Sequence, residues 1–192
     1  KTTLAGALAG ELAGGGGRVA WAERAAELPL PAGVERFGPA PATADSAAVD
    51  FAAALRMALA AAPAWLILDE ARADEGTVLW EALASEGAPR YLWTMRAPAR
   101  ADRLRSALTL MLHRAQPAVE AETVHDMIVR HLPFVAILAR VAGTLRLVML
   151  GEWVVEAGGL QMRPLLEWRE EAWALAPTGA SHALALPPDF WA

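Results

Sequence analysis

The chain has 192 residues, 55% of them apolar and 20% charged, which suits one globular α/β domain with its own core and excludes a disordered segment. A net charge of −5, with Lys1 the only lysine and the arginines scattered, excludes a basic surface that tracks nucleic acid, so no nucleic-acid partner is expected. The absence of cysteine removes disulfides, thiolate zinc sites and cysteine nucleophiles.

In chain order, Lys1-Thr2-Thr3 followed by Leu4-Ala5-Gly6-Ala7-Leu8-Ala9 reads as the tail of a phosphate-binding P-loop, so residue 1 is read as a cut rather than a natural start. In G-x-x-x-x-G-K-[ST], backbone amides wrap the phosphates, the lysine pairs with the β/γ oxygens and the hydroxyl holds Mg²⁺. The helix that follows aims its N-terminal partial positive charge at the same anion. Leu and Ala at helical spacing carry it over residues 2–13, and Gly14 to Gly17 stop it. Arg18 to Ala22 reads as a short apolar strand ending in Glu23-Arg24. Helix, glycine turn, strand and a charge at the strand's end make half of a doubly wound unit, whose ligands bind at that edge.

Pro29 to Pro41 reads as a loop carrying a short edge strand from Val34 to Phe37. Residues 46–62 form a second alanine-rich helix, with Ser46 as its N-cap, Asp50 in its first turns and Pro63 as its stop. Ala64 to Leu68 is the continuous apolar run of a buried parallel strand, and it leads directly into Asp69-Glu70. The longest apolar stretch, Met57 to Leu68, is broken by Pro63 and too short to cross a membrane; a soluble, cytoplasmic chain is expected.

A helix from Asp74 to Ser85, a turn at Gly87-Ala88-Pro89 and a strand from Tyr91 to Met95 come next. Residues 99–115 read as a helix with Leu104, Leu108 and Met111 inward, and Glu120 to Val129 as another. Strands are expected at Phe134 to Ala139, at Leu145 to Leu150 beyond Gly143, and at Trp153 to Glu156, the last pairing with Gln161 to Leu166 across a Gly158-Gly159 turn. The tail from Pro177, with Pro187-Pro188, reads as a weakly ordered end. The expected division is therefore a domain over 1–176 and a tail over 177–192. The histidines, His113, His125, His131 and His182, lack the spacing of a metal site.

A buried strand ending in two acids is the natural partner of a P-loop: the aspartate orders the Mg²⁺ shell and the adjacent glutamate polarises the attacking water. Thr2 and Asp69 are thus candidate metal contacts, and Glu70 is a catalytic candidate. Glu23, at the end of the neighbouring strand, can orient water, touch Mg²⁺ or simply cap its loop. Arg72 and Arg96 follow strand ends on the same edge, where a planar guanidinium can fork onto a γ-phosphate; the bland alternative is a surface arginine. With Lys1, Thr2 and Thr3 they form the candidate nucleotide contacts, for ATP and Mg²⁺. Trp21, Trp65 and Trp93 read as packing.

Together these segments resemble the C-terminal motor domain of type II/IV secretion ATPases, most closely the CpaF-type enzymes of tight-adherence pilus assembly, over nearly the whole chain. Lys1-Thr2-Thr3 is similar to the end of that family's Walker A. RVAWAERAAEL, from Arg18 to Leu28, is similar to R-I-V-T-I-E-D-A-A-E-L, the family's acidic Asp box. LRMALAAAPAWLILDEARA, from Leu55 to Ala73, is similar to L-R-x-A-L-R-M-R-P-D-R-I-I-V-G-E-V-R-G, the Walker B region with its arginine. Gly87 to Asp102 resembles the G-H-D-G…T-x-H-A-N segment with its His box, and Val129 to Leu166 the closing strands, after which a short helix is expected.

The resemblance implies an α/β fold: a RecA-like P-loop NTPase sheet with helices on both faces and a C-terminal antiparallel meander. It implies ATP hydrolysis coupled to pilin assembly or protein export, in a homo-hexamer or mixed ring. The ring works against platform proteins at the cytoplasmic face of the inner membrane, and a further N-terminal domain completes the site. Lys1 and Thr2 match the phosphate and Mg²⁺ contacts, Glu23 the Asp-box glutamate, Glu70 the Walker B glutamate and Arg72 the arginine after it. Arg24 stands where the Asp-box aspartate is expected, Arg96 replaces the His-box histidine, Ala88-Pro89-Arg90 replaces H-D-G, and Asp69 stands where the family commonly has glycine. An inward Arg24 would oppose Mg²⁺. A degenerate, nucleotide-binding structural or regulatory ring subunit is therefore the alternative. Partition and septum-site ATPases of the MinD/ParA sort share the opening pattern, but Trp21-Ala22-Glu23-Arg24 lacks their D-x-D or D-P-Q.

Overall fold

Apolar side chains on short strands build the first half of the molecule. A computed structural model describes residues 1–169, 171–175, 180 and 181. Strands β1 (Val19–Ala22), β2 (Val34–Phe37), β3 (Trp65–Leu68) and β4 (Arg90–Trp93) form a parallel sheet in the order β2-β1-β3-β4. They run in step: Val19 pairs with Val34 on one side and Trp65 on the other, and Trp65 pairs with Arg90.

Alternation of side chains across a strand divides these residues between two faces. Val19, Trp21 and Ile67 meet α1 (Thr2–Gly14), whose Ala5 and Ala9 are small enough to let the helix lie close. Ala20, Ala22, Leu66, Leu68 and Tyr91 enter the larger core with α2 (Phe51–Ala60), α3 (Gly76–Ala84), α4 (Ala101–Ala115) and α5 (Ala121–His131). Helices thus cover both faces, as an all-parallel sheet requires.

The second sheet is antiparallel and follows chain order: β5 (Phe134–Val141), β6 (Thr144–Glu156), β7 (Gly159–Arg169) and β8 (Ala172–Leu175). Its Val135, Ile137, Trp153 and Leu160 belong to the same core as the parallel sheet. The fold is mixed α/β with a closing meander, as expected. No helix among the described residues is long and apolar enough to cross a membrane.

Several boundaries differ from the sequence reading. Helix α2 begins at Phe51, because Asp50 caps it by accepting from Ala53 N–H (2.7 Å), while the Ser46 hydroxyl bonds Thr43 Oγ1 (2.8 Å) in the preceding loop. A 3-10 turn over Ala73–Glu75 precedes α3. The segments expected as two strands before the hairpin are one, β6, with a register shift between Leu150 and Gly151. The hairpin turn is Ala157-Gly158, since Glu156 already pairs with Gly159, whose φ of +90° suits glycine. Beyond the hairpin the sheet continues into β8, where Trp168 and Trp173 pair across β7 and β8 with ring centroids 5.4 Å apart, and no helix follows the hairpin among the described residues. The expected weakly ordered tail, including Pro187-Pro188, lies outside the described residues apart from Ala180 and Ser181. Ser181 donates its backbone N–H to the Glu152 carboxylate (2.9 and 3.1 Å).

Candidate functional site

The C-terminal edge of the parallel sheet gathers most of the expected site residues. Helix α1 starts there, with Lys1 as its N-cap. Thr2, in its first turn, donates its hydroxyl to Asp69 Oδ1 at 3.3 Å. Asp69 is the first residue beyond β3, only 8% exposed, and its N–H donates to Ala22 O (2.9 Å). Thr94 is the first residue beyond β4. Its hydroxyl donates to the same Asp69 oxygen (3.0 Å) and accepts the Glu70 N–H (2.9 Å). The Ala71 N–H donates to Thr94 O (2.7 Å), so Thr94 fastens the whole Asp69-Glu70-Ala71 turn.

That fastening has a conformational reason. Glu70 has φ +68°, in the left-handed region that costs a residue with a Cβ about 1–2 kcal/mol. Its carboxylate is clamped from two sides. Arg72 Nη2 donates to Oε2 (3.1 Å) and Arg96 Nε lies 3.1 Å from Oε1. The Arg72 hydrogen bond, then the charges of Arg72, Arg96 and Lys1, hold this carboxyl below the usual glutamate range. A carboxylate so stabilised is a weak proton acceptor and better suited to orienting a water than to deprotonating one. Lys1 shares this neighbourhood. Loss of water around its ammonium lowers its pKa, and the nearby Glu70 and Asp69 oppose that while Arg96 adds to it.

Glu23 reaches the same sheet edge but not the same cluster. It is 2% exposed, accepts from Trp21 Nε1 (2.9 Å) and forms an ion pair with Arg36 on β2. Burial raises its pKa, against the opposing effects of the Trp21 hydrogen bond and Arg36. Its carboxylate is thus engaged on the β1–β2 side, and Trp21 does more than pack. Arg24 pairs with Glu75 and lies over the Phe51 ring, 4.5 Å from its centroid. Its charge is drawn toward the start of α3, so the clash expected of an inward Arg24 is relieved by a dedicated partner. Thr3 is exposed and takes no part in the Thr2 network.

The edge therefore combines a helix N-terminus, an ammonium, two guanidinium groups and a hydroxyl with two carboxylates. The cationic groups suit a phosphate, and the hydroxyl–carboxylate pair suits a hard divalent cation. Among the described residues no group of three or more His, Asp or Glu could hold a metal by itself. A cation here would need oxygens from the ligand it binds with, which is how Mg²⁺ is usually held beside phosphates. Sequence reasoning missed Thr94, Trp21 and Arg36. Thr94 carried a signal, since Thr94-Met95-Arg96 stands where the resemblance places T-x-H; for Arg36 there is none. No protein-family model matches the chain, and no curated protein aligns with it significantly.

Proposed function

We propose that this chain binds ATP with Mg²⁺ at the Lys1–Thr2–Asp69–Glu70 edge, as the RecA-like motor domain of a type II/IV secretion or pilus-assembly ATPase. The observation that carries the reading is the 3.3 Å contact between Thr2 Oγ1 and Asp69 Oδ1. It joins a hydroxyl at a helix start to a carboxylate at the end of a buried parallel strand, 67 residues away in sequence. Lys1 and the first-turn amides of α1 would face the phosphates, while Thr2 and Asp69 would hold Mg²⁺. When bound, the metal neutralises phosphate charge. Glu70 positions the attacking water, and Arg72 and Arg96 transfer part of their hydrogen bonding from Glu70 to the γ-phosphate.

Assembly as a homo-hexameric or mixed ring, docked on platform proteins at the cytoplasmic face of the inner membrane, rests on the sequence resemblance alone. One observation favours the second reading, a nucleotide-binding ring subunit with little hydrolysis: both Glu70 oxygens are committed to arginines. Titration of a fluorescent ATP analogue into the intact protein, with and without Mg²⁺, tests the site, and a coupled turnover assay separates the two readings. Lys1→Ala should weaken binding about tenfold or more, the scale of one charge-assisted hydrogen bond. Asp69→Asn should remove the Mg²⁺ dependence, and Glu70→Gln should retain binding and lose turnover. Binding indifferent to Lys1→Ala and Asp69→Asn overturns the nucleotide reading; tight binding without wild-type turnover selects the ring subunit.

A further inference from the structure

A groove of about 340 Å³ lies between α4, α5 and the β6–β7 turn, with polar side chains set among Leu110, Ala121 and Leu160, and it shares no residue with the sheet edge described above. Arg105, Thr109 and His113 recur at four-residue spacing on α4 and so share one face, with Ser106 beside them. On α5, Ala121 and His125 line the opposite wall. Ala121 is the first residue of that helix, and the N-cap Glu120 makes no side-chain hydrogen bond to the first-turn amides. Those N–H groups are the uncompensated donors of a helix start.

The pieces are held in place. Arg105 Nη1 donates to Leu160 O (3.1 Å) and to Gln161 Oε1 (3.2 Å), which fixes the guanidinium at the hairpin while its other N–H groups remain. The His125 ring lies against the turn: a Cβ built on Gly159 would stand 3.4 Å from its Cε1. Thr109 Oγ1 and His113 Nδ1 are buried and have no hydrogen-bond partner among the described residues. Buried polar atoms are nearly always paired, so two orphans on one wall of one cavity call for a ligand or water. The lining carries no carboxylate. A guanidinium, two imidazoles, two hydroxyls and a helix start line this one groove, an excess of donors that suits an oxyanion even with Glu122 in the first turn of α5.

We propose that this groove binds a phosphate group, either free phosphate or the phosphate of a monoester. The test follows the four histidine Cε1–Hε1 signals by NMR at fixed pH and ionic strength while inorganic phosphate, or in a second arm glycerol phosphate, is added. The signals of His113 and His125 should shift saturably below about 10 mM, that of His131 should not, and sulfate should compete. His125→Gln and Thr109→Val, followed through His113, should each weaken binding about tenfold or more. Lys1→Ala should leave the titration unchanged, which separates this groove from the nucleotide edge. The tighter of the two ligands identifies the source of the phosphate. An absence of saturable shifts at His113 and His125 in the wild-type protein overturns the proposal, whatever the variants do; so does equal affinity in a folded His125→Gln protein.

Discussion

Thr94 offers the sharpest test of how the sheet edge is built. Its hydroxyl donates to Asp69 Oδ1 (3.0 Å) and accepts from Glu70 N–H (2.9 Å), and the residue is 9% exposed. Thr94→Val keeps the shape and removes both bonds. Asp69 retains only the longer Thr2 contact, and the Glu70 amide loses its acceptor. A hydrogen bond to a charged group contributes about 1.5–3 kcal/mol and an orphaned buried donor costs about 1–3 kcal/mol. The two overlap, because one hydroxyl serves both, so a loss of about 2–4 kcal/mol is expected. For a domain of this size each kcal/mol lowers Tm by about 2–4 °C, so a fall of about 5–15 °C should follow. Urea unfolding followed by circular dichroism gives the free energy, with Thr94→Ser, which keeps the hydroxyl, as the control. Equal stability of the Val and Ser variants would refute the claim that this hydroxyl fastens the turn.

The remaining expectations concern packing and buried charge. Gly76→Ala places a Cβ 2.5 Å from the backbone oxygen of Met111 on α4, so despite the roughly 1 kcal/mol helix preference of alanine it should destabilise by about 1–3 kcal/mol; a raised Tm would contradict the close α3–α4 crossing. Arg163→Ala removes the Arg163 ion pair of the fully buried Glu152 carboxylate and should cost about 3 kcal/mol in urea unfolding, whereas a cost below about 1 kcal/mol would mean Ser181 and other donors suffice. Glu23, whose pKa is raised by burial, contributes most to stability when protonated, and that contribution fades as pH rises through its folded pKa. Wild type should therefore gain on Glu23→Gln between neutral pH and about pH 5, as other groups cancel in the difference; a pH-independent gap would show that Arg36 fully offsets the burial.

Periodicity made most elements legible. Alternating Leu and Ala before four glycines marks α1, and an unbroken apolar run before Asp69-Glu70 marks β3, because burial on both faces leaves no room for polar residues in such a strand. Boundaries were harder where two residues offered the same chemistry: Ser46 and Asp50 can both cap a helix, and the Thr43–Ser46 bond in the loop decides for Asp50. The break expected between two strands at Gly151 is a bulge, because Gly151 is packed beneath Arg163 O and Met162, where a Cβ would come within 3.0 Å of backbone. Local composition does not register a contact made by a strand paired from elsewhere.

The same division runs through the site. Lys1, Thr2, Asp69 and Glu70 stand out by sequence alone, since a helix start and a strand end bring fixed dipoles and charges to a sheet edge wherever the fold is parallel. The state of those groups was decided by the tertiary structure. The clamp of Arg72 and Arg96 on Glu70, the diversion of Arg24 to Glu75 and Phe51, and the seclusion of Glu23 between Trp21 and Arg36 all depend on which side chains meet in space. Residue type and order along the chain select the elements through short-range backbone and solvation preferences. Pairing, burial and pKa follow from distances between residues far apart in sequence, and only the folded packing sets those.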